Sequence, residues 1–139
     1  MTIVTTSYAK RQAEIRSVRM AVFVEEQSVP IDLEMDDADK HCIHVLALDG
    51  QRPVGTGRID FAKDGKVGRI AVLKSERRRG IGTLLMQTLE EAAHQRDCPQ
   101  IWFHAQTSAI PFYEPLGYTA EGETFLEANI PHRTMRKQL

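Results

Sequence analysis

The stretch Glu76–Ala93, ERRRGIGTLLMQTLEEAA, sets Arg77, Arg78 and Arg79 against Gly80 and Gly82 at the mouth of an apolar-patterned segment. The first backbone N–H groups of a helix lack intrahelical partners and carry partial positive charge. Glycine lets a polyanion approach such a backbone closely. Together these features make a phosphate site, and arginines add charge-assisted hydrogen bonds. Two familiar phosphate motifs do not fit. A P-loop needs Lys-Ser or Lys-Thr after its last glycine, and here Thr83 and Leu84 follow Gly82. The dinucleotide fingerprint needs a third glycine where Leu85 stands, and Gly55-Thr56-Gly57 has Asp60 in that place.

Composition narrows the setting. A chain of 139 residues suits one domain, 1–139, around one core. Lys plus Arg number 18 against 19 Asp plus Glu, which argues against a general nucleic-acid binder and makes the arginine cluster a local feature. Cys42 and Cys98 form no CxxC pair, so a reducing, cytoplasmic compartment is expected. The N-terminus lacks the apolar stretch of a signal peptide, and "AVFV" and "IAVL" are far too short to span a bilayer, so no membrane partner is expected.

The elements that must position the arginine–glycine stretch can be read around it. "TIVTT" is a β-branched strand, and Tyr8–Val24 carries Ile15, Val18, Val22 and Phe23 near helical spacing. The acidic segment EEQSVPIDLEMDDADKH, broken by Pro30, reads as a loop. Residues 41–73 read as three strands turned at Asp49-Gly50 and Asp64-Gly65. A long helix follows from about Gly80 to Arg96, with Ile81, Leu84, Leu85, Leu89 and Ala92 on one face. "IWFHAQ" is a strand. "TSAIPFYEPLGY" is a short helix capped by Thr107 or Ser108 and ended at Gly117. Strands near Gly117–Glu121 and Pro131–Lys137 close the chain. Hairpins first and a crossover helix later predict an α+β fold with a mixed sheet.

Two further chemistries can be weighed from residue types. His41, His44, Asp36, Asp37 and Asp39 suggest a metal, but on a strand His41 and His44 point to opposite faces, so no metal is expected. A nucleophilic thiol would need activation by a nearby base; Cys42 starts a strand and Cys98 ends a helix, and both read as bystanders.

Arg77-Arg-Arg-Gly80-Ile-Gly82 resembles the Arg/Gln-x-x-Gly-x-Gly/Ala motif of the GNAT N-acetyltransferase superfamily. Gln106-Thr-Ser-Ala109 and Phe112-Tyr113-Glu-Pro-Leu116-Gly117-Tyr118 resemble that family's second motif. The segments "RMAVFVEEQSVP", "EMDDADKH", "FHAQ" and "IPHRTM" look like its small bacterial ElaA-like branch. The resemblance implies the GNAT fold, a mixed, mostly antiparallel sheet of about six to seven strands flanked by about four helices. It also implies that the fourth and fifth strands splay apart.

What the resemblance implies for chemistry is transfer of an acetyl group from acetyl-CoA to an amine by direct attack in a ternary complex. The diphosphate would lie on the amides near Arg78, Arg79, Gly80, Ile81, Gly82 and Thr83, with Arg77 anchoring the loop or pairing with phosphate. Ile70, Ala71 and Val72 would line the pantetheine, and the Val72 N–H would polarise the thioester carbonyl. Tyr113 would protonate the leaving thiolate. Gln106 stands where the family more often has asparagine and would bond the cofactor or nearby backbone. The family's fourth-strand glutamate is absent, since Gly68 and Arg69 occupy that region. Candidate bases are therefore Glu26 first, then Glu34, Asp60, His44 and His104, with a water relay as the other route. The acceptor is an amine of a small molecule or a protein, and the acidic loop leans toward a cationic one. A homodimer, common in the family, is possible. The alternative reading is a non-catalytic module that binds acyl-CoA as a sensor.

Overall fold

The computed structural model describes residues 1–31 and 36–139. Strand β1 (Thr2–Thr6) leads through a Ser7 cap into α1 (Tyr8–Arg19), which runs on as a π-helical turn, Met20–Glu26. Strands β2 (Ile43–Asp49), β3 (Arg52–Asp60) and β4 (Lys66–Val72) form the predicted meander. Then come α2 (Ile81–Gln95), β5 (Gln100–Gln106), the single-turn α3 (Ile110–Tyr113), β6 (Thr119–Glu127) and β7 (Ile130–Gln138).

All seven strands form one sheet in the order β1-β2-β3-β4-β5-β7-β6. Every neighbouring pair is antiparallel except β4 and β5. Those two run parallel and meet at a single register pair, Lys66 with Trp102. Beyond that point they part, which is the expected splay.

The two faces of the sheet are covered by different helices. On one side α2 buries Ile81, Leu85, Met86, Leu89 and Ala93 against Val45, Ala47, Ile59, Ile101 and Phe103. Gly55 gives that helix room, since a Cβ there would meet Ile81 and Leu85 at 3.0 and 3.1 Å. The predicted apolar face needs one correction. Leu84 is 41 % exposed, because the buried stripe follows the 81–85–89 ridge and its flank at 86 and 93. On the other side α1 and the π-turn bury Ile15 against Leu46 and Leu48, and Val18 and Val22 against Ala71.

The segment after β5 also departs from expectation. Neither Thr107 nor Ser108 caps a helix through its side chain; Thr107–Ala109 and Glu114–Leu116 are 3₁₀ turns on either side of α3. Gly117 does end the segment, in the left-handed region at φ 99°. Among the described residues no helix is long and apolar enough to cross a membrane.

Candidate active site

The fork between β4 and β5 opens a crevice of about 820 Å³. Its walls include Ile70, Ala71 and Val72 of β4, and His104 and Gln106 of β5. Arg77, Arg78, Gly80 and Gly82 of the arginine–glycine loop line it, as does Tyr113. Two features of β4 turn its backbone toward this space. First, Leu73 N donates to Val54 O of β3 at 2.9 Å, so by strand alternation the N–H and C=O of Val72 and Ile70 face the fork. Second, β3 and β4 lose register between Thr56 and Arg58. Gly57 there opposes both Arg69 and Ile70, and Arg69 sits at φ 54°. A bulge of this kind re-aims backbone groups beside a site. Nothing in the spelling "KVGRIAV" announces it.

At the loop, the three arginines have separate employments. Arg77 donates from Nε to Val72 O at 3.0 Å and pairs through both terminal nitrogens with Glu26, at 2.7 and 2.6 Å. Arg79 pairs with Glu76 and, at 3.4 Å, with Asp49, while Arg52 holds the other Glu76 oxygen at 2.6 Å. Arg78 makes no hydrogen bond or ion pair among the described residues, stands at φ 67°, and lines the crevice. Gly80 caps α2 at φ 78°, with nothing within 4 Å of where a Cβ would stand. The positive end of α2 thus opens onto space at Gly80, and Ile81 and Gly82 line the crevice. Gly82 has a different reason to be glycine: a Cβ there would lie 3.0 Å from Cζ of Phe112. The loop thus fits a diphosphate held by main-chain amides, with Arg78 the arginine left to add charge.

Tyr113 is 7 % exposed, packed on Phe103 and Phe112 at ring-centroid distances of 4.6 and 4.9 Å. Its hydroxyl has no hydrogen-bond partner among the described residues, and the side chain lines the crevice. Burial pushes the phenol well above its ordinary pKa, so it is held as a proton donor. Gln106 donates to Gln27 Oε1 at 2.8 Å, a bond that ties β5 to the π-helical turn across the fork.

The candidate bases separate cleanly. The Arg77 hydrogen bonds hold Glu26 below the usual carboxylate range, and a carboxylate so clamped is a poor proton acceptor, which weighs against Glu26 as the base. Asp60 accepts from Ala62 N at 3.0 Å and faces His41 Nε2 at 3.1 Å. His44 is buried with Nε2 on Asp39 O at 3.0 Å, and burial lowers its pKa. Glu34 lies outside the described residues. His104 remains, in the crevice wall, with Nδ1 3.0 Å from Glu127 Oε1.

Two carboxylates of the acidic loop are tied to arginines. Asp36 takes two bonds from Arg58, at 2.7 and 2.8 Å, which hold it far below the carboxylate range. Asp39 is buried between Arg19 and Arg58, at 2.8 and 2.7 Å. This pairing leaves Asp36 and Asp39 with little free charge to attract a cationic acceptor. It also separates the metal set considered from sequence, since Asp36 and Asp39 serve arginines. His41 lies before β2 and groups instead with Cys42 and Asp60, whose ligand atoms fall within 4.8 Å of one another. A metal there would need the Cys42 thiolate, and burial pushes that thiol up to about 11.

Sequence reasoning missed Glu127, His132 and Arg58. Glu127 and His132 come from opposite strands of the β6–β7 hairpin, and only its register brings them beside β5.

The family model for the GNAT acetyltransferase domain matches residues 5–139. The chain belongs to the GNAT acetyltransferase family. It is 42 % identical over 135 residues to the uncharacterized N-acetyltransferase YjcF of Bacillus subtilis, covering 93 % of this chain and 96 % of that one. Among solved structures it is similar to Escherichia coli ElaA, at 26 % identity and TM-score 0.88, with 99 % of each chain covered. It is similar also to an acyl-CoA N-acyltransferase from Pseudomonas aeruginosa, at 25 % identity and TM-score 0.87, with 98 % of each covered. This GNAT chain is an acetyl-CoA-dependent N-acetyltransferase, and its fork is the family's splay between the fourth and fifth strands.

Proposed function

We propose that acetyl-CoA lies along the fork with its diphosphate on the amides of Gly80, Ile81, Gly82 and Thr83 and its thioester beside Val72. An amine acceptor enters from the α1 face and attacks the thioester directly. The observation that carries this reading is the continuity of one crevice from the helix mouth to the Tyr113 hydroxyl. Each requirement of direct transfer then has a candidate group. The Val72 N–H, turned into the fork, faces the oxygen on which negative charge grows, where a fixed donor is worth most. Tyr113, uncharged and unpartnered, supplies the proton for the departing thiolate. Arg77 holds the end of β4 to the loop, so that the amides and the Val72 N–H keep a fixed separation.

The test is calorimetric titration with acetyl-CoA, together with thiol release across a panel of amines. Tyr113→Phe keeps the ring packing, so its acetyl-CoA affinity should stay within about threefold while kcat falls on the order of a hundredfold. A Tyr113→Phe protein with full kcat removes the proton donor from this reading. Tight acetyl-CoA binding with no turnover on any amine overturns it altogether.

A further inference from the structure

Resting on that reading, we infer that His104 takes the proton from the incoming ammonium, and that Glu127 is the positioning residue that orients its ring. Strands β4 and β5 pair only at Lys66 and Trp102, so His104, two residues on, stands just inside the fork. Its ring is fixed on three sides. Nδ1 lies 3.0 Å from Glu127 Oε1, Phe125 meets the ring edge-on at 4.9 Å, and Trp102 does so at 5.8 Å. Nε2 has no hydrogen-bond partner among the described residues, and the side chain is 26 % exposed at the crevice wall.

The surrounding charges favour this assignment. The groups that face the His104–Glu127 pair are His132 of β7 and Lys66 of β4. Burial works to raise the Glu127 pKa, but the hydrogen bond to His104 and the Lys66 ammonium are among the interactions that outweigh it and hold Glu127 low. Glu127 is therefore a carboxylate at neutral pH. Its other oxygen lies 3.6 Å from His132 Nε2, whose Nδ1 donates to Ile130 O at 2.6 Å. A carboxylate at Nδ1 selects the tautomer with the hydrogen there, which leaves the lone pair on Nε2. An imidazole held in this way gains a proton with its new charge already matched by Glu127.

The step balances. One proton of the ammonium passes to His104 Nε2, giving a neutral amine. Its lone pair attacks the thioester carbon, and the carbonyl electrons move to oxygen. When the carbonyl re-forms, the C–S bond breaks and sulfur takes the Tyr113 proton. The nitrogen of the new amide sheds its extra proton, which restores the phenol through water. The imidazolium releases its proton to solvent. Ammonium and thioester thus become amide, thiol and one free proton.

A base matters only for an acceptor that is protonated when it arrives. The test compares ethylamine, which is an ammonium at pH 7.5, with hydroxylamine, which is already neutral there, in wild-type protein, His104→Gln and Glu127→Gln. His104→Gln should lose about a hundredfold in kcat/KM with ethylamine and less than about threefold with hydroxylamine. Its ethylamine rate should climb with pH as free amine accumulates, and Glu127→Gln should show the same pattern more weakly. Equal losses on both amines would mean a structural role, and no loss on either would mean no role; both overturn the inference. A wild-type protein that binds acetyl-CoA but acetylates neither these two amines nor any other of the panel overturns the transferase reading itself. An active wild type with an unaffected His104→Gln overturns only the base.

Discussion

Arg77 and Glu26 form a two-pronged pair, Nη1 to Oε2 at 2.7 Å and Nη2 to Oε1 at 2.6 Å, while Arg77 Nε holds Val72 O at 3.0 Å. The pair joins the π-helical turn, the end of β4 and the glycine-rich loop. Both side chains are about a third exposed, so solvent screening limits the direct stability gain to about 1 kcal/mol or less. The larger expected effect is on loop placement. Glu26→Gln should weaken acetyl-CoA binding a few-fold and leave the shape of the pH–rate profile unchanged. The linkage sign follows from the Arg77 bond, which lowers the folded pKa. Its stabilisation is present above the ordinary Glu pKa and is lost as pH falls through the folded one. A Glu26→Gln protein that lost the acidic limb of kcat/KM would restore Glu26 as the base.

Gly80 and Gly82 are predicted to fail in different ways when changed to alanine. At Gly80 the added methyl meets no protein atom, but φ 78° costs an L-residue about 1–2 kcal/mol, and the methyl enters the space over the α2 amides. Loss of one charge-assisted hydrogen bond, roughly 1.5 kcal/mol, corresponds to about tenfold weaker acetyl-CoA binding. At Gly82 the methyl pushes on Phe112, whose ring packs on Tyr113 at 4.9 Å. Gly82→Ala should therefore lower kcat more than it raises the dissociation constant. Calorimetry beside thiol-release kinetics separates the two, and identical effects on both parameters at both glycines would refute the division of labour.

How much of this was legible in the sequence depends on the range of the interaction. The meander, the long helix and the Asp49-Gly50 and Asp64-Gly65 turns rest on local periodicity and turn chemistry, and they fall where expected. The arginine–glycine motif located the helix mouth. It could not say that Glu26, 51 residues away, occupies Arg77, or that Glu76 and Asp49 occupy Arg79. Tyr113 was found through a motif, whereas His104 was one of five candidate bases and stood behind Glu26. What distinguishes it is Glu127, 23 residues on, delivered by β6–β7 hairpin register. The bulge at Arg69 left no trace because it arises from a mismatch between two strands and not from either one.

The Arg19–Asp39–Arg58 cluster should be the most acid-sensitive part of the fold. Arg19 is fully buried, Asp39 is 3 % exposed, and the carboxylate bonds both guanidiniums. Asp39→Asn leaves two buried arginines short of charge and should cost about 3–5 kcal/mol, read as a shift of the urea midpoint at pH 7. Asp36→Asn should cost less, because Asp36 is 38 % exposed and can be replaced by water. Burial opposes ionisation of Asp39, but Arg19 and Arg58 outweigh it and lower its folded pKa. The contribution is complete above the ordinary Asp pKa of about 3.9 and drains away as pH falls through the folded value. Wild-type stability should drop steeply below about pH 4, and Asp39→Asn should be flatter there. Parallel acid limbs for the two proteins would show that the cluster does not govern acid unfolding.

The β6–β7 turn offers a stabilising change that also bears on the site. Glu127 pairs with Ile130, so Ala128 and Asn129 alone make the turn, at φ 50° and 62°. Two positive φ values match the twist of a tight hairpin, and asparagine tolerates the left-handed region where alanine does not. Ala128→Gly removes a steric cost of about 1–2 kcal/mol but adds freedom to the unfolded chain worth roughly 0.5–1 kcal/mol. A net gain of about 0.5–1 kcal/mol is expected, seen as a higher urea midpoint with an unchanged slope. Ala128→Asn should gain similarly without the entropic loss, since asparagine is no freer than alanine when unfolded. Because glycine and asparagine can both keep the Ala128 backbone conformation, and with it the Glu127–Ile130 pairing, both variants should keep full activity with ethylamine. A stabilised hairpin that nevertheless lost activity on ethylamine but kept it on hydroxylamine would mean that the strain at Ala128 itself sets the angle at which Glu127 meets His104.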